Sequence, residues 1–262
     1  MDNRTIERLI VDFVAQYSTL KKVKTRWLKP LVGVASVTHP LFGRFKDIIH
    51  AHHFMPEDLL PEAKSVVAFY IPFEKELHGE NYREEHSCSR SWAVAYIETN
   101  QLISDTADHA KKELEALGHK VAVVPPTHNF DEQTLMSNWS HRHMAYVAGI
   151  GRFGHHNLLI TEKGCTGRLG SFVIDVELTP TSTDQGEFCL HKAGYDCLKC
   201  VERCQYGALF PERFDRFACH RQCQINDRFH DDLGLTEICG KCAAMVPCST
   251  TNPVRKKEME KS

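Results

Sequence analysis

No apolar stretch in this 262-residue chain approaches the roughly 20 residues that a bilayer-spanning helix needs. Its start, MDNRTIERLI, lacks the basic-then-apolar plan of a secretory signal. These two absences predict a cytoplasmic protein that makes no use of a membrane. A strong charge of one sign is also missing: the formal net charge is -2, which gives no field to gather nucleic acid or an anionic surface. The one local basic run, Lys21, Lys22, Lys24, Arg26 and Lys29, reads as a solvated helix face. Cysteine is scarce in the first two thirds, where only Cys88 and Cys165 occur. That scarcity, in a chain long enough to bury its own core, excludes a disulfide scaffold.

The remaining nine cysteines crowd between Cys189 and Cys248. In a reducing compartment such a crowd means metal or redox chemistry. The stretch DCLKCVERCQYGAL (Asp196 to Leu209) sounds like half of a bacterial ferredoxin motif, C-x2-C-x2-C-x3-C-P, but Gly194 stands where the first cysteine belongs and Gln205 where the proline belongs. The proline is only a helix-start preference, and YGAL suits the tight turn and short helix expected after the third cysteine. Laid out in full, the set is Cys189-x7-Cys197-x2-Cys200-x3-Cys204, Cys219-x3-Cys223 and Cys239-x2-Cys242-x5-Cys248. A zinc ribbon would place its two pairs closer and leave five cysteines surplus, whereas two [4Fe-4S] clusters need eight thiolates and nine are on hand. The crossing rule of two-cluster ferredoxins groups Cys189, Cys197, Cys200 and Cys248. It sends Cys204 to join Cys239, Cys242 and one of Cys219 or Cys223.

Upstream, Ile6, Leu9, Ile10, Phe13 and Val14 fall at helical spacing, so Thr5 to Tyr17 is expected to form an amphipathic helix. SVVAFYIPF (Ser65 to Phe73) reads as a buried strand, the segment from Trp92 to Gly118 as a long helix, and KVAVVPP as a second strand, together an α/β unit. NLLIT (Asn157 to Thr161) and GSFVIDVEL (Gly170 to Leu178) add two strand candidates. Polar turn residues in LTPTSTDQGEF mark a domain boundary, giving domains 1–180 and 181–262, and the charged end RKKEMEKS reads as a frayed tail.

Gly149, Gly151 and Gly154 spell G-x-G-x-x-G, with Asp175 about 20 residues on, but a strand-like segment follows where a dinucleotide fold needs a helix. Two glycine-rich loops, Gly149 to Gly154 and Gly164 to Gly170, instead bracket one strand. Such backbone can lie flat against a bulky planar ligand.

The stretch YVAGIGRFGHHNLLITEKGCTGRLGSFVIDVEL followed by the cysteine module resembles the epoxyqueuosine reductase family and its relatives, the reductive dehalogenases. SNWSHRHMAYVAGIGRFG, the x7 gap after Cys189 and CGKCAAMVPC are similar to a short branch, the epoxyqueuosine reductase-like iron-sulfur proteins. The resemblance implies an α/β (α+β) fold: a nitroreductase-like α/β domain that binds a base-off cobalamin, followed by a bacterial ferredoxin-like domain with two [4Fe-4S] clusters. It implies cobalamin contacts at Gly149, Gly151, Gly154, Asn157, Leu158, Gly167 and Gly170. FDRFAC matches the family's D-x-x-x-C and so favours Cys219 over Cys223 as a cluster ligand. The family's proton-donating aspartate is absent: Leu135 stands in its place, followed by Met136 and Ser137. His141, His143 and Tyr146 are the expected substitutes, with the His155 and His156 pair and Cys165 nearby.

The reading that follows is an iron-sulfur oxidoreductase, a cobalamin-dependent reductase acting on an epoxide or another small activated substrate. Its partners would be a low-potential electron donor of ferredoxin or flavodoxin type and a small-molecule or modified-nucleoside substrate. Given the charge balance, tRNA is the less favoured substrate. The alternative is a non-catalytic carrier that reduces a partner enzyme's cofactor. A carrier needs only the clusters, not the two glycine loops and WSHRH, so catalysis ranks first.

Overall fold

The computed structural model describes residues 1–184 and 186–260. In chain order the elements are α1 (Asn3–Leu20), β1 (Leu31–Ser36), α2 (Phe45–Ile48), α3 (Pro56–Leu59), β2 (Ser65–Pro72), α4 (Lys75–Arg83) and α5 (Arg90–Ala116). There follow β3 (Val121–Val123), the hairpin β4 (Phe130–Asp131) and β5 (Met136–Ser137), α6 (His141–Val147), the hairpin β6 (Gly151–Phe153) and β7 (Leu159–Thr161), and β8 (Gly167–Ile174). The cysteine-rich segment adds α7 (Lys199–Arg203), α8 (Arg216–Phe229) and α9 (Pro253–Met259).

Four strands form the central sheet in the order β1-β2-β8-β3, and every neighbouring pair is antiparallel. β2 is buried at all eight positions, and its alternation explains why. Val67, Phe69 and Ile71 pack with Ile6, Ile10, Val14 and Tyr17 of α1 and with Leu102 and Ile103 of α5. Val66, Ala68 and Tyr70 face the other way, toward Met144, Ala145 and Val147 of α6 and toward Trp139. A strand covered on both faces reads as a continuous apolar run, which is how the sequence showed it. Each of the larger of these side chains contributes about 1.5–3 kcal/mol by leaving water.

Local signals set the ends of these elements. Asp2 caps α1 by accepting from the Thr5 amide, and Ser89 caps α5 by accepting from Trp92. Gly118, at φ +86°, ends the long helix in the left-handed region. The expected β-α-β unit is altered by topology: β2 and β3 run in the same direction, but β8 enters between them and makes the sheet antiparallel. β1 was missed because Gly33 interrupts its apolar pattern. That glycine is needed where an added Cβ would overlap the Ala148 carbonyl.

Two other expectations are corrected. YGAL makes its turn at Gly207 (φ +62°), but no helix follows until α8. The charged end is not frayed up to Met259: α9 forms there because Asn252 accepts from the amides of Val254 and Arg255 and because Arg255 pairs with Glu162 at 3.1 Å. Among the described residues no helix is long and apolar enough to cross a membrane.

The cysteine-rich segment packs against the rest of the chain through both backbone and side-chain hydrogen bonds. The Cys165 amide donates to the Cys248 carbonyl at 2.9 Å, and the Thr166 amide donates to Ser249 at 3.1 Å. Asn81 Nδ2 donates to the Cys239 carbonyl at 3.0 Å, and His230 Nε2 donates to the Cys88 carbonyl at 2.9 Å. Lys241, only 1% exposed, spends its ammonium on the carbonyls of Asn81 and Glu84.

Candidate functional site

All eleven cysteines are free thiols, and nine of them line two cavities. Cys189, Cys197, Cys200 and Cys248 line one small cavity together with His155, His156 and Lys199. Cys204, Cys219, Cys223, Cys239 and Cys242 line a second, larger one of about 390 Å³. Cys204 has therefore left its sequence neighbours: α7 ends at Arg203, and the chain turns away at Cys204. The charges that act on the Cys242 thiol are those of Cys239, Cys219, Cys204 and Cys200. Cys219 and Cys223 both line the same cavity as Cys242, and the reach of Cys200 to Cys242 brings the two groups near one another. Burial pushes Cys200 and Cys239 up to about 12, so without a bound metal these thiols stay protonated. Metal binding at these groups must release protons.

Two cysteines outside the crowd lie against these groups. Cys165 donates to Cys248 across 4.0 Å, and His156 Nε2 lies 3.4 Å from the same sulfur. These hydrogen bonds hold Cys248 toward thiolate, while Cys165 is pushed up as the donor. Cys88, fully buried and raised to about 12 by desolvation, lies within electrostatic reach of Cys223. Neither role has a spacing signal, since both depend on contacts more than 80 residues apart in the chain.

The large cavity meets another of about 380 Å³ that runs between the sheet and the β4-β5 hairpin. Arg142, Leu158, Cys165, Gly167 and Arg168 line both. Of the seven residues expected to touch a cofactor, Asn157, Leu158 and Gly167 line the large cavity. Gly167 must be glycine, since a Cβ there would overlap the Ile71 carbonyl and the Tyr70 ring. The other four glycines serve packing of protein on protein. An added Cβ at Gly149 would lie 2.5 Å from the Ser182 carbonyl, at Gly154 2.5 Å from His156, and at Gly170 2.7 Å from Ile103; at Gly151 it would overlap the Ile160 carbonyl across the β6-β7 hairpin. The G-x-G-x-x-G string thus opens a hairpin, not a helix, in line with the sequence argument against a dinucleotide loop.

The residues expected to handle protons are spread out. His141 is 7% exposed and both of its ring nitrogens are engaged, Nδ1 accepting from Ser171 Oγ at 2.7 Å and Nε2 donating to the Pro125 carbonyl at 2.9 Å. His143 lines the second cavity, with Nδ1 2.7 Å from Ser140 Oγ and its ring against Phe45 and Phe153. Tyr146 lines neither cavity; it stacks on Phe153 beneath Arg152. The hairpin that carries Leu135, Met136 and Ser137 covers the second cavity.

Burial drives His53, His141 and His143 down to about 4. Their unfolded value is about 6.5, so between about pH 6.5 and 4 the unfolded chain binds more protons and stability falls as pH is lowered. Urea unfolding at pH 5 is therefore expected to show a loss of about 1–2 kcal/mol per histidine relative to pH 7. A flat profile over that range would show that these rings are hydrated.

No protein-family model and no curated protein matches the chain. Solved structures do. An epoxyqueuosine reductase from Bacillus subtilis, captured with a catalytic-aspartate loop swung out of its active site, aligns with a TM-score of 0.57 at 15% identity over 94% of this chain and 66% of that one. An epoxyqueuosine reductase bound to a tRNA stem loop aligns at 0.55 and 16% identity, over 93% and 66%. A reductive dehalogenase described by a B12-dependent mechanism aligns at 0.58 and 14% identity, over 88% of this chain and 31% of that one. The chain thus spans about two thirds of the reductases and under a third of the dehalogenase. Its mixed α/β architecture is the fold of the epoxyqueuosine reductases and the reductive dehalogenases.

Proposed function

We propose that the chain is an iron-sulfur reductase whose two thiol groups each hold a [4Fe-4S] cluster and whose joined cavities hold a base-off cobalamin. The observation that carries this reading is the continuity of the second thiol group with the large cavity, because one space is lined at once by Cys204, Cys219, Cys239 and Cys242 and by Leu158 and Gly167. The donor set suits cubanes: each group supplies four sulfurs, and the second has Cys223 to spare. The cavities suit a large amide-rimmed ring, being bounded by the flat backbone at Gly167, by Leu158 and by scattered polar groups. When bound, the corrinoid would supply the reductive bond cleavage itself.

The chain's residues then divide the remaining work. Cys189, Cys197, Cys200 and Cys248 would hold the cluster that faces a low-potential donor of ferredoxin or flavodoxin type, and Cys204, Cys219, Cys239 and Cys242 would hold the one beside the cleft. Opening an epoxide to an alkene takes two electrons and two protons and releases water, so two electrons and two protons would have to reach the cleft per turnover. We assign hydrogen-bond donation toward the reacting oxygen to His143, held neutral, with Ser140 fixing its Nδ1 and leaving Nε2–H as donor. His141, saturated by Ser171 and Pro125, positions α6. Residues 1–180 form the cofactor domain and 181–262 the cluster domain, and free thiols throughout suit the cytoplasm. A small molecule or a modified nucleoside is the substrate class, with tRNA less favoured.

Anaerobically purified protein titrated with hydroxocobalamin tests the reading. A saturable base-off absorption spectrum at one corrinoid per chain is expected. Iron-loaded protein that binds no corrinoid at any concentration contradicts it and leaves the electron-carrier alternative.

A further inference from the structure

The chain has 34 aspartates and glutamates, and among the described residues none lines either of the two large cavities. Arginines do. A guanidinium stays charged in proteins, so a confined one without a counter-ion is costly unless something anionic joins it. Arg168 lies with its guanidinium carbon 4.5 Å above the centre of the Tyr96 ring, and its Nε is shut off from solvent with no partner among the described residues. Desolvation lowers its pKa, and the phenol of Tyr96 opposes that. Arg142, which is solvent-exposed at the cavity rim, donates from Nη1 to the Asn157 carbonyl at 2.7 Å and has Arg216, a like charge, as a neighbour.

We propose that Arg168 and Arg142 form a seat for an anionic oxygen group, phosphate or carboxylate, on the ligand that occupies the joined cavities. Guanidinium forks match such groups with paired hydrogen bonds, and a cleft free of carboxylates offers them no competing partner. The inference rests on the corrinoid reading only for which ligand carries the anion. One source is the phosphodiester of a complete corrinoid; the other is an anionic substituent on the substrate.

The test uses the full chain with its clusters intact. Without corrinoid, inorganic phosphate followed by calorimetry is expected to bind saturably, and Arg168→Gln and Arg142→Gln are each expected to weaken it tenfold or more. Arg168→Lys, which keeps the charge and loses the fork, should retain part of the binding. Iron content and thermal midpoint confirm that the variants are folded. A second titration compares hydroxocobalamin with cobinamide, which lacks the phosphodiester. If the cofactor supplies the anion, only hydroxocobalamin loses affinity in the variants. If the substrate supplies it, both corrinoids bind alike in all variants, and phosphate still binds the corrinoid-loaded wild type. Failure of both corrinoids to bind would defeat the proposed function while leaving the phosphate measurement to decide the seat. No phosphate binding by the wild type, or equal binding by wild type and folded variants, overturns the seat and reduces the arginines to neutralising the clusters.

Discussion

Gly164→Ala is expected to be among the most damaging single-methyl changes in this protein. Gly164 sits at φ +79°, and an added Cβ would collide with the carbonyl of Ser249 and the amide of Thr250. Both colliding groups are backbone, so no side chain can swing away. The same short segment carries the amides of Cys165 and Thr166 that hold Cys248 and Ser249. Moving it apart takes Cys248 from Cys189, Cys197 and Cys200, and Ser249 from its bond to Thr166 Oγ1 at 2.7 Å. Left-handed strain and overpacking together should cost about 3 kcal/mol or more, read as a lower urea midpoint, with loss of the iron held by the first group. Gly118→Ala provides the comparison. It has a similar φ of +86° but open space around it, so it should cost only about 1–2 kcal/mol and leave the iron untouched.

The second large effect separates two cysteines one helical turn apart on α8. Cys219→Ala should lower the iron content from about eight to about four per chain, whereas Cys223→Ala should leave about eight. The reason lies in their placement. Cys219 is held toward thiolate by a hydrogen bond from Cys223, which is pushed up as the donor and lies within reach of Cys239 and the buried Cys88. If the two variants lost equal iron, the groups would have been divided wrongly and Cys223 would be a ligand in its own right.

The residues that determine each feature decide how much of it could be read in advance. α1, β2 and α5 were legible because each owes its form to local periodicity against a large core: Ile6, Ile10 and Val14 repeat at helical spacing, and the apolar run of β2 is buried on both faces. The antiparallel order was not legible, since the placement of β8 between β2 and β3 depends on pairings such as Val67 with Phe172, more than 100 residues apart. The two sets of cysteines that thiol spacing suggests line separate cavities. The glycine string misled in part. Spacing says that backbone must approach something closely at Gly149, Gly151, Gly154 and Gly170, but not whether that something is a ligand or the protein itself, and here it is Ser182, Ile160, His156 and Phe69. Arg168 left no trace, because the signal that marks it is the lack of any acid across a cavity wall, which only folding brings together. His141 was singled out for its residue type, yet Ser171 and Pro125 satisfy it completely.

Metal analysis of the anaerobically purified full chain bears most directly on the two-cluster claim. The two thiol groups predict about eight iron and about eight acid-labile sulfide per chain, with zinc negligible. About four iron, or zinc in place of iron, would contradict it, because one of the two groups would then not be a cluster site and electrons would have no second station beside the cleft.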